Sequence, residues 1–455
     1  MPTRHLAFGL LFVLAASSPA QDALPFRMPA GPAGTLMGAY IEAFNTGDTA
    51  TFKNFWETYS VKPEPVPTDE RLRRFVQMRS LLGTLEPVRL LASGDERLSL
   101  LVRSEREGFL RFDFMTEPGP PLRLRAIAID QADQDEPAQE PRASFADLAR
   151  DLDEYLTRET ASDRFSGVVL IAKDSQVVFH RPYGYDDREK HVANNAETKF
   201  HLGSINKAFT ALAIRQLVNQ GRLRLDDTLK TFLPDYPNAE AARTVTIRHL
   251  LEMTSGIGDF FGQRYEAIPK ESLMTIRSYM PLFADLPLKF KPGTNRQYSN
   301  GGYIVLGAVI EQVSGTDYYS YVQENIFTPA GMKDTESFPK NDPVANRAKG
   351  YTRRGGDGSL RTNDDTLPGR GSSAGGGYST APDLLRYVAA LKTSTICRES
   401  DPARNGFGVA GGAPGINAAF DWDPEGGLVI IVLTNLDPPA AERVARRIRS
   451  WLPRP

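Results

Sequence analysis

The stretch KFHLGSINKAFTALAIRQLVNQGRL, residues 199–223, places Ser204 and Lys207 three positions apart at the predicted start of a helix. Residues with this spacing lie on one helical face, so their side chains can meet. Burial and the positive end of the helix dipole both disfavour the charged amine, which leaves Lys207 able to take the proton of Ser204. Free backbone N–H groups at a helix start can also stabilise an oxyanion. The pattern predicts a serine nucleophile activated by lysine, with a simple capping serine as the alternative.

The rest of the stretch predicts how this helix is anchored. An apolar face, followed by Gly221 as a stop, is typical of a helix packed in a core. The apolar residues are Phe209, Leu212, Ile214 and Leu217. A second S-x-x-K occurs at residues 337–340, but Pro339 interrupts a helix there. Ser204 and Lys207 are therefore the better pair.

A second motif is RQYSNGGY, residues 296–303. Tyr298 and Asn300 are separated by one residue and can project from a loop towards the same site. A tyrosine that shares a proton with a lysine can act as acid and base, and an asparagine can hydrogen-bond both an amine and a substrate amide. The alternative for Tyr298 is a packed loop aromatic.

A third motif is GFGVAGGAPGINAAF, residues 406–420, in which Gly411 and Gly412 lie next to a predicted strand. Glycines at such a position suit an exposed edge where backbone N–H and C=O groups meet a substrate. The alternative is a glycine-rich turn before the strand.

Together these motifs resemble the serine β-lactamase and penicillin-binding superfamily, over roughly residues 143–453. The second motif, Y-S-N, is similar to that of class C β-lactamases, related esterases and D-amino-acid peptidases. Further stretches in the family's order are LRLDDTLKTFLPDYP (223–237), TIRHLLEMTSGIGDF (246–260), YVQENIFTPAGMKDT (321–335) and SSAGGGYSTAPDLLRYVAAL (372–391). The resemblance implies an α+β fold, in which an antiparallel sheet is flanked by helices and joined to a helical subdomain.

The resemblance also implies roles for individual residues. Ser204 is the expected acylated nucleophile, and Lys207 and Tyr298 are expected to share general-base and general-acid duty. Asn300 orients Lys207 and the substrate. The backbone N–H groups of Ser204 and Gly412 form the expected oxyanion hole, with Gly411 beside it at the substrate. The implied substrate is a small molecule or a peptidoglycan-derived compound, as an ester, amide or β-lactam, and no cofactor or metal is expected.

One position departs from the family pattern. The third motif usually begins with Lys or His, and here Val409 takes that place. Valine cannot donate a hydrogen bond or attract a carboxylate, so we expect acyl transfer to survive better than strong β-lactamase activity. Arg404 or Arg370 is a hypothetical substitute for the missing charge. The alternative function is a non-catalytic ligand- or cell-wall-binding protein that keeps the penicillin-binding fold.

The sequence before this region predicts a separate small domain. Residues 33–130 read as three helices followed by an antiparallel β-meander, which resembles the cone-shaped fold of ketosteroid isomerase and scytalone dehydratase. We expect an accessory α+β domain, with independent chemistry as the alternative. Residues 131–141 are acidic, contain proline and predict a linker, which places the hydrolase domain at 142–455.

The first twenty residues predict an export signal. Arg4 and His5 precede the apolar run LAFGLLFVLAA, and small residues favour cleavage after Ala20. The alternative is an uncleaved anchor. We therefore expect a secreted or periplasmic protein with no membrane span left after cleavage.

Composition excludes several other classes. A formal net charge of −2 over 455 residues argues against a nucleic-acid binder. Cys397 is the sole cysteine, which forbids an internal disulfide, and the five histidines show no metal-ligand spacing. The oligomeric state stays open.

Overall fold

The computed structural model describes residues 26–61, 68–94, 96–132, 134, 141–355 and 358–453. The chain divides into two compact units between Glu140 and Pro141. The predicted signal peptide and most of the predicted linker lie outside the described residues. Over the described part of the chain, no helix combines the length and apolarity needed to cross a bilayer.

The first unit consists of three helices followed by a four-stranded antiparallel sheet in sequential order. Its elements are α1 Pro32–Thr46, α2 Thr49–Tyr59, α3 Thr68–Leu82, β1 Leu85–Ser93, β2 Arg97–Ser104, β3 Gly108–Thr116 and β4 Leu124–Gln131. Aromatic rings fill the space between helices and sheet: Tyr40 meets Phe114 edge-on, and Phe52 stacks on Phe75 with ring centroids 3.9 Å apart. The predicted order of helices and strands is confirmed here.

The second unit is built on a five-stranded antiparallel sheet in the order β13–β14–β15–β5–β6. Its strands are β5 Gly167–Lys173, β6 Gln176–Tyr183, β13 Phe407–Ala413, β14 Ile416–Asp423 and β15 Leu428–Thr434. Strands from the two ends of the unit are therefore neighbours, with Val169 opposite Val432. β5 is buried on both faces, which explains its uninterrupted apolar run.

Helices cover both faces of this sheet. α4 Phe145–Ala161 and α14 Ala440–Trp451 pack on one face, and α5 Asn206–Asn219 and α13 Ala381–Lys392 belong to the core on the other. The helical subdomain between the first and last strands consists of α6 Leu229–Phe232, α7 Ala239–Thr244, α8 Ile247–Leu251, α9 Gln263–Ala267, α10 Ile276–Tyr279, α11 Asn300–Ser314 and α12 Tyr318–Val322. Short strands complete the unit: β7 Tyr185–Asp187, β8 Val192–Ala193, β9 Phe200–His201, β10 Tyr351–Thr352, β11 Arg361–Thr362 and β12 Tyr378–Ser379. The predicted fold class is confirmed.

Two local features differ from the sequence prediction. The glycine-rich residues 407–413 form a strand of their own, β13, at the edge of the sheet. Pairing with the apolar β14 supplies the stabilisation that the glycines lack. Asn300 is the first residue of helix α11 and does not lie in a loop, because Ser299 caps that helix by accepting the N–H of Gly302.

Candidate active site

Four polar side chains from two distant segments meet at the start of α5. The Oγ of Ser204 lies 2.6 Å from the Oη of Tyr298 and 3.2 Å from the Nζ of Lys207. The Nζ of Lys207 donates a hydrogen bond of 2.7 Å to the Oδ1 of Asn300. The structure thus brings together all four side chains that the first two motifs predicted, across 94 residues of sequence between Ser204 and Tyr298.

The local backbone explains the position of Ser204. A single 3-10 turn, Gly203–Ile205, precedes α5, and Lys207 is the second residue of that helix. Gly203 has φ +53°, in the left-handed region, and a Cβ there would lie 2.8 Å from the backbone N of Gly412. Glycine at this position therefore lets strand β13 approach the nucleophile directly.

The two glycines of the third motif also allow β13 to lie close to the turn that carries Ser204. A Cβ on Gly411 would lie 2.0 Å from the carbonyl O of Leu202 and 2.7 Å from the N of Ser204. Gly412 lines the larger of two cavities that meet at Ser204. The backbone of β13 therefore lies directly against the turn that carries Ser204, at the edge of the sheet.

Lys207 is almost completely buried, with 7% of its surface exposed. Burial lowers the pKa of its ammonium group to about 7, and the Asp259 carboxylate acts in the opposite direction. Besides Ser204, its amine contacts two groups that only accept hydrogen bonds: Asn300 Oδ1 and the carbonyl O of Ala374. A neutral amine has two N–H donors and one lone pair. Its two donors fit these acceptors, and its lone pair is left for the hydroxyl of Ser204.

Tyr298 is suited to a different part of the reaction. Its residue surface is 54% exposed, but its hydroxyl lies against Ser204. Partial burial raises the pKa of this phenol above its ordinary value, and the hydrogen bond with Ser204 offsets part of that rise. The phenol therefore keeps its proton at neutral pH, whereas Lys207 is close to half neutral. This difference identifies Lys207 as the better base and Tyr298 as the better proton donor.

Asp259 is a site residue that the sequence reasoning missed. Its Oδ2 accepts a hydrogen bond of 2.7 Å from the Nδ2 of Asn300, which directs the Oδ1 of that amide towards Lys207. Asp259 lies in the stretch TIRHLLEMTSGIGDF that contributed to the family resemblance. An acidic residue in a glycine-containing loop was the available signal.

His201 is a second missed residue. Its Nδ1 accepts the backbone N–H of Gly203 at 3.0 Å, and burial lowers the pKa of its imidazolium to about 4. The ring is therefore neutral at neutral pH, as an acceptor at Nδ1 requires. His201 fixes the turn that carries Ser204.

Two cavities open onto Ser204. The larger has a volume of about 740 Å³ and includes Asn300 and Gly412 in its lining, together with aromatic side chains. The smaller, of about 390 Å³, is lined by Lys207 and Val409 among others. Ser204 and Tyr298 line both, so a substrate bound at the nucleophile can extend in two directions.

The two hypothetical substitutes for the charge missing at Val409 do not line either of these cavities. Arg404 donates to the carbonyl groups of Glu399 and Lys392, and the Arg370 guanidinium stacks on the ring of Tyr319. Both guanidinium groups therefore contact other parts of the fold and do not replace the charge missing at Val409. Within the described residues, no group of three or more His, Cys, Asp or Glu side chains is arranged to hold a metal ion.

Comparisons with known proteins agree with this geometry. The family model described as Beta-lactamase matches residues 145–452. A curated relative from Bacillus subtilis (strain 168), which carries the name of a penicillin-binding protein, is 29% identical over 292 residues, which are 60% of this chain and 71% of that protein. The crystal structure of a penicillin-binding protein from Bacillus halodurans is 31% identical, with a TM-score of 0.59, and the match covers 65% of this chain and 98% of that chain.

A more distant solved structure shares the fold alone. The D-amino acid amidase from Ochrobactrum anthropi SV3, complexed with L-phenylalanine amide, is 22% identical with a TM-score of 0.54, and the match covers 66% of this chain and 97% of that chain. The family match and the Bacillus halodurans structure carry the assignment. The chain belongs to the Beta-lactamase family, within the superfamily of serine β-lactamases and penicillin-binding proteins.

Proposed function

We propose that this protein is a serine hydrolase that forms an acyl-enzyme on Ser204 from an ester, amide or β-lactam substrate. The observation that carries the proposal is the contact of Ser204 Oγ with Lys207 Nζ at 3.2 Å, at an amine whose pKa burial lowers to about 7. An amine that is partly neutral at physiological pH can take the proton of a serine hydroxyl.

Acylation uses the side chains of Ser204, Lys207 and Tyr298 in sequence, while Asn300 holds Lys207 in place. Lys207 takes the hydroxyl proton of Ser204 while Oγ forms a bond to the carbonyl carbon of the substrate. The N–H groups of Ser204 and Gly412 stabilise the negative charge that develops on the carbonyl oxygen. The bond to the leaving group then breaks as Tyr298 gives its proton to the leaving atom and regains a proton from Lys207. Lys207 is neutral again, and Ser204 carries the acyl group.

Deacylation repeats these steps with water. Lys207, acting directly or through Tyr298, takes one proton from a water molecule while the oxygen of that water bonds to the acyl carbon. The bond between that carbon and Oγ breaks, and Oγ takes the proton back. The products are a carboxylic acid and free Ser204, and no external reactant besides water is needed.

Export forms part of the proposal. The predicted signal at residues 1–20 supports a secreted or periplasmic location, where peptidoglycan-derived compounds are among the available substrates. The names of the Bacillus relatives support ligands of the penicillin type. Nothing in this assignment requires a cofactor.

A non-catalytic binding protein is the second candidate, and Val409 is the observation that favours it. A protein that lacks the usual Lys or His of the third motif can hold a ligand without turning it over. The binding protein predicts saturable ligand binding that is unchanged in Ser204→Ala, whereas the hydrolase predicts turnover that depends on Ser204.

Covalent labelling tests the proposal directly. The purified chain is treated with a fluorophosphonate, and the adduct is located by mass spectrometry of peptides. We expect one adduct on Ser204, lost in Ser204→Ala and kept in Ser337→Ala, which removes the serine of the second S-x-x-K motif. Turnover of short p-nitrophenyl esters should fall by on the order of 10³-fold or more in Ser204→Ala. A folded wild-type chain that gives neither adduct nor turnover would contradict the hydrolase.

A further inference from the structure

We propose that the substrate is a neutral ester or amide. Its acyl group is aromatic or bulky and apolar and occupies the larger cavity, and its apolar leaving group occupies the smaller one. Val409 selects against a carboxylate on that leaving group. This inference rests on the proposed acyl-enzyme function and specifies its substrate class.

The larger cavity presents aromatic rings to the substrate. Phe260 and Phe261 have ring centroids 4.3 Å apart, and Tyr265 lies 5.0 Å from Phe261. The hydroxyl groups of Tyr265 and Tyr279 donate to backbone carbonyls, so both residues offer their rings to the cavity. Phe261 is 55% exposed, so its ring is accessible to a ligand in this cavity. An apolar acyl group in this cavity would cover it.

The charged groups of the larger cavity do not favour an anionic acyl group. Glu266 and Asp365 both line it, and the Asp365 carboxylate already accepts from the Arg361 guanidinium at 3.0 Å. Lys270 also lines it, but its amine donates to three backbone carbonyls, those of Tyr265, Glu266 and Ile268. An acyl group with its own carboxylate would meet the Glu266 carboxylate and would gain no donor from Lys270, because the Lys270 amine already donates to the three carbonyls.

The smaller cavity is lined mainly by apolar side chains. Val409, Phe407 and Met253 line it, and each packs against the main hydrophobic core. Arg215 also lines this cavity, but its Nε lies 2.9 Å from the Oδ1 of Asp401. That buried carboxylate neutralises the guanidinium. A substrate carboxylate placed here would lose its hydration without gaining a free cation.

The positions of the catalytic groups decide which part of the substrate enters which cavity. Asn300 and Gly412 line the larger cavity only, so a carbonyl oxygen held by the Gly412 N–H directs the acyl substituent there. Lys207 and Val409 line the smaller cavity only, and Tyr298 lines both. The leaving atom, which takes its proton from Tyr298, therefore departs towards Val409.

A first experiment varies the acyl group on a constant p-nitrophenol leaving group. The substrates are the acetate, the phenylacetate and the anionic hemisuccinate. We expect kcat/KM for the phenylacetate to exceed that for the hemisuccinate by about tenfold or more. Phe261→Ala should lower kcat/KM for the phenylacetate about tenfold more than for the acetate. Val177→Ala, which removes an exposed apolar side chain outside both cavities, should leave all three values unchanged.

A second experiment varies the leaving group on a constant phenylacetyl group. Phenylacetyl esters of 4-hydroxybenzoate and of its methyl ester differ by one carboxylate. The ratio of their kcat/KM values is compared between wild type, Val409→Lys and the nearly isosteric Val409→Thr, because a comparison between variants cancels the intrinsic reactivity of the two esters. We expect Val409→Lys to shift the ratio towards the anionic ester by about tenfold, and Val409→Thr to leave it within about twofold.

The outcomes separate this inference from the proposed function. Turnover that depends on Ser204 but treats neutral and anionic esters alike, or a ratio that Val409→Lys does not change, would overturn the substrate class and leave the hydrolase intact. A wild-type chain that neither hydrolyses any of these esters nor forms a fluorophosphonate adduct would overturn both.

Discussion

Asp259 connects the amide of Asn300 to the aromatic wall of the larger cavity. Its Oδ2 accepts the 2.7 Å hydrogen bond from Asn300 Nδ2, and its Oδ1 accepts the backbone N–H of Phe261 at 3.1 Å. One carboxylate therefore positions a group that contacts Lys207 and a ring that lines the cavity. A substitution at Asp259 is therefore expected to disturb both the Asn300 amide and the Phe261 ring.

We predict that Asp259→Asn lowers kcat by about 10- to 100-fold. The new amide can present an N–H donor where the Nδ2 of Asn300 needs an acceptor. The Asn300 side chain would then rotate, and its Oδ1 would no longer accept from Lys207. The measurement is steady-state kinetics on a p-nitrophenyl ester together with the rate of fluorophosphonate labelling. The Asp259 carboxylate also raises the pKa of Lys207, so the lower limb of the pH profile should move to lower pH in the variant.

The control is Asp226→Asn, which removes an exposed acid paired with Arg248 on the surface. It should leave both the rate and the pH profile unchanged. A kcat in Asp259→Asn equal to that of wild type would show that Asp259 has no positioning role.

We predict that kcat/KM rises with pH and levels off above an apparent pKa near 7, because the neutral form of Lys207 is the base. The profile should be measured with a neutral ester whose own ionisation does not change over this range. A limb near the ordinary lysine value of 10.5 would mean that burial does not lower this pKa in solution.

The same shift affects stability. In the unfolded chain Lys207 holds its proton up to about pH 10.5, whereas in the folded chain it loses the proton near pH 7. Between these values the unfolded state binds more protons, so the contribution of Lys207 makes the free energy of unfolding rise with pH across this window. Lys207→Met should remove that rise and should be more stable than wild type below pH 7, although it is inactive. Thermal unfolding at pH 6 and pH 9 measures both effects.

We predict that His201→Leu lowers kcat about tenfold, because it removes the acceptor for the N–H of Gly203 and loosens the turn that carries Ser204. His201→Asn places an oxygen close to the position of the lost Nδ1 and should retain most of the rate. Both variants are compared by kcat and by labelling rate. Equal losses in the two would indicate a packing role for the ring instead.

We predict that Gly203→Ala lowers kcat by about 10²- to 10³-fold, because the new Cβ would displace the N–H of Gly412 from the developing oxyanion. Gly221→Ala is a matched control: its φ is +70°, but nothing lies within 4 Å of the added carbon. Both variants should lose about 1 kcal/mol of stability from backbone strain. Gly203→Ala should lose more than that, because its Cβ also meets backbone atoms of Gly411 and Gly412, and only Gly203→Ala should lose activity. Thermal unfolding and ester kinetics together separate the two effects.

We predict that Phe209→Ala destabilises the hydrolase unit by about 3–5 kcal/mol. Its ring is fully buried in α5 and meets Phe327 and Tyr387 edge-on, with centroids 5.0 and 5.1 Å away. Phe209→Leu should cost clearly less, because most of the volume is kept. Denaturant unfolding, followed through the loss of Ser204 labelling, measures the difference. A cost below about 1 kcal/mol for the alanine would contradict this packing.

The four candidate residues of the first two motifs could be picked out from the sequence because their signals are local. The spacings between Ser204 and Lys207 and between Tyr298 and Asn300 each lie within one turn of chain, where geometry follows from the sequence interval. Asp259 and the Ala374 carbonyl were not predictable. They reach the site only through folding, since Asp259 is 41 residues from Asn300 and Ala374 is 167 residues from Lys207.

The fold, too, was predictable where the signal is local and not predictable where it depends on distant contacts. Periodicity predicted the helices and the meander of the first unit and the helix after Ser204, because apolar residues recur at the spacing of the buried face. It did not predict strand β13, whose glycines and alanines have no β-preference of their own. That strand exists because β14 offers it a complete ladder of partners.

The pairing of β5 with β15 has a consequence for the timing of synthesis. Gly167 lies opposite Thr434, so the early hairpin of the second unit cannot complete the sheet until the chain has been made beyond residue 434. Strand β13, which carries the backbone N–H of Gly412, is also made late. A nascent chain that already contains Ser204 and Lys207 thus lacks the strand that packs against them, so the proposed acyl transfer has to wait until β13 is in place.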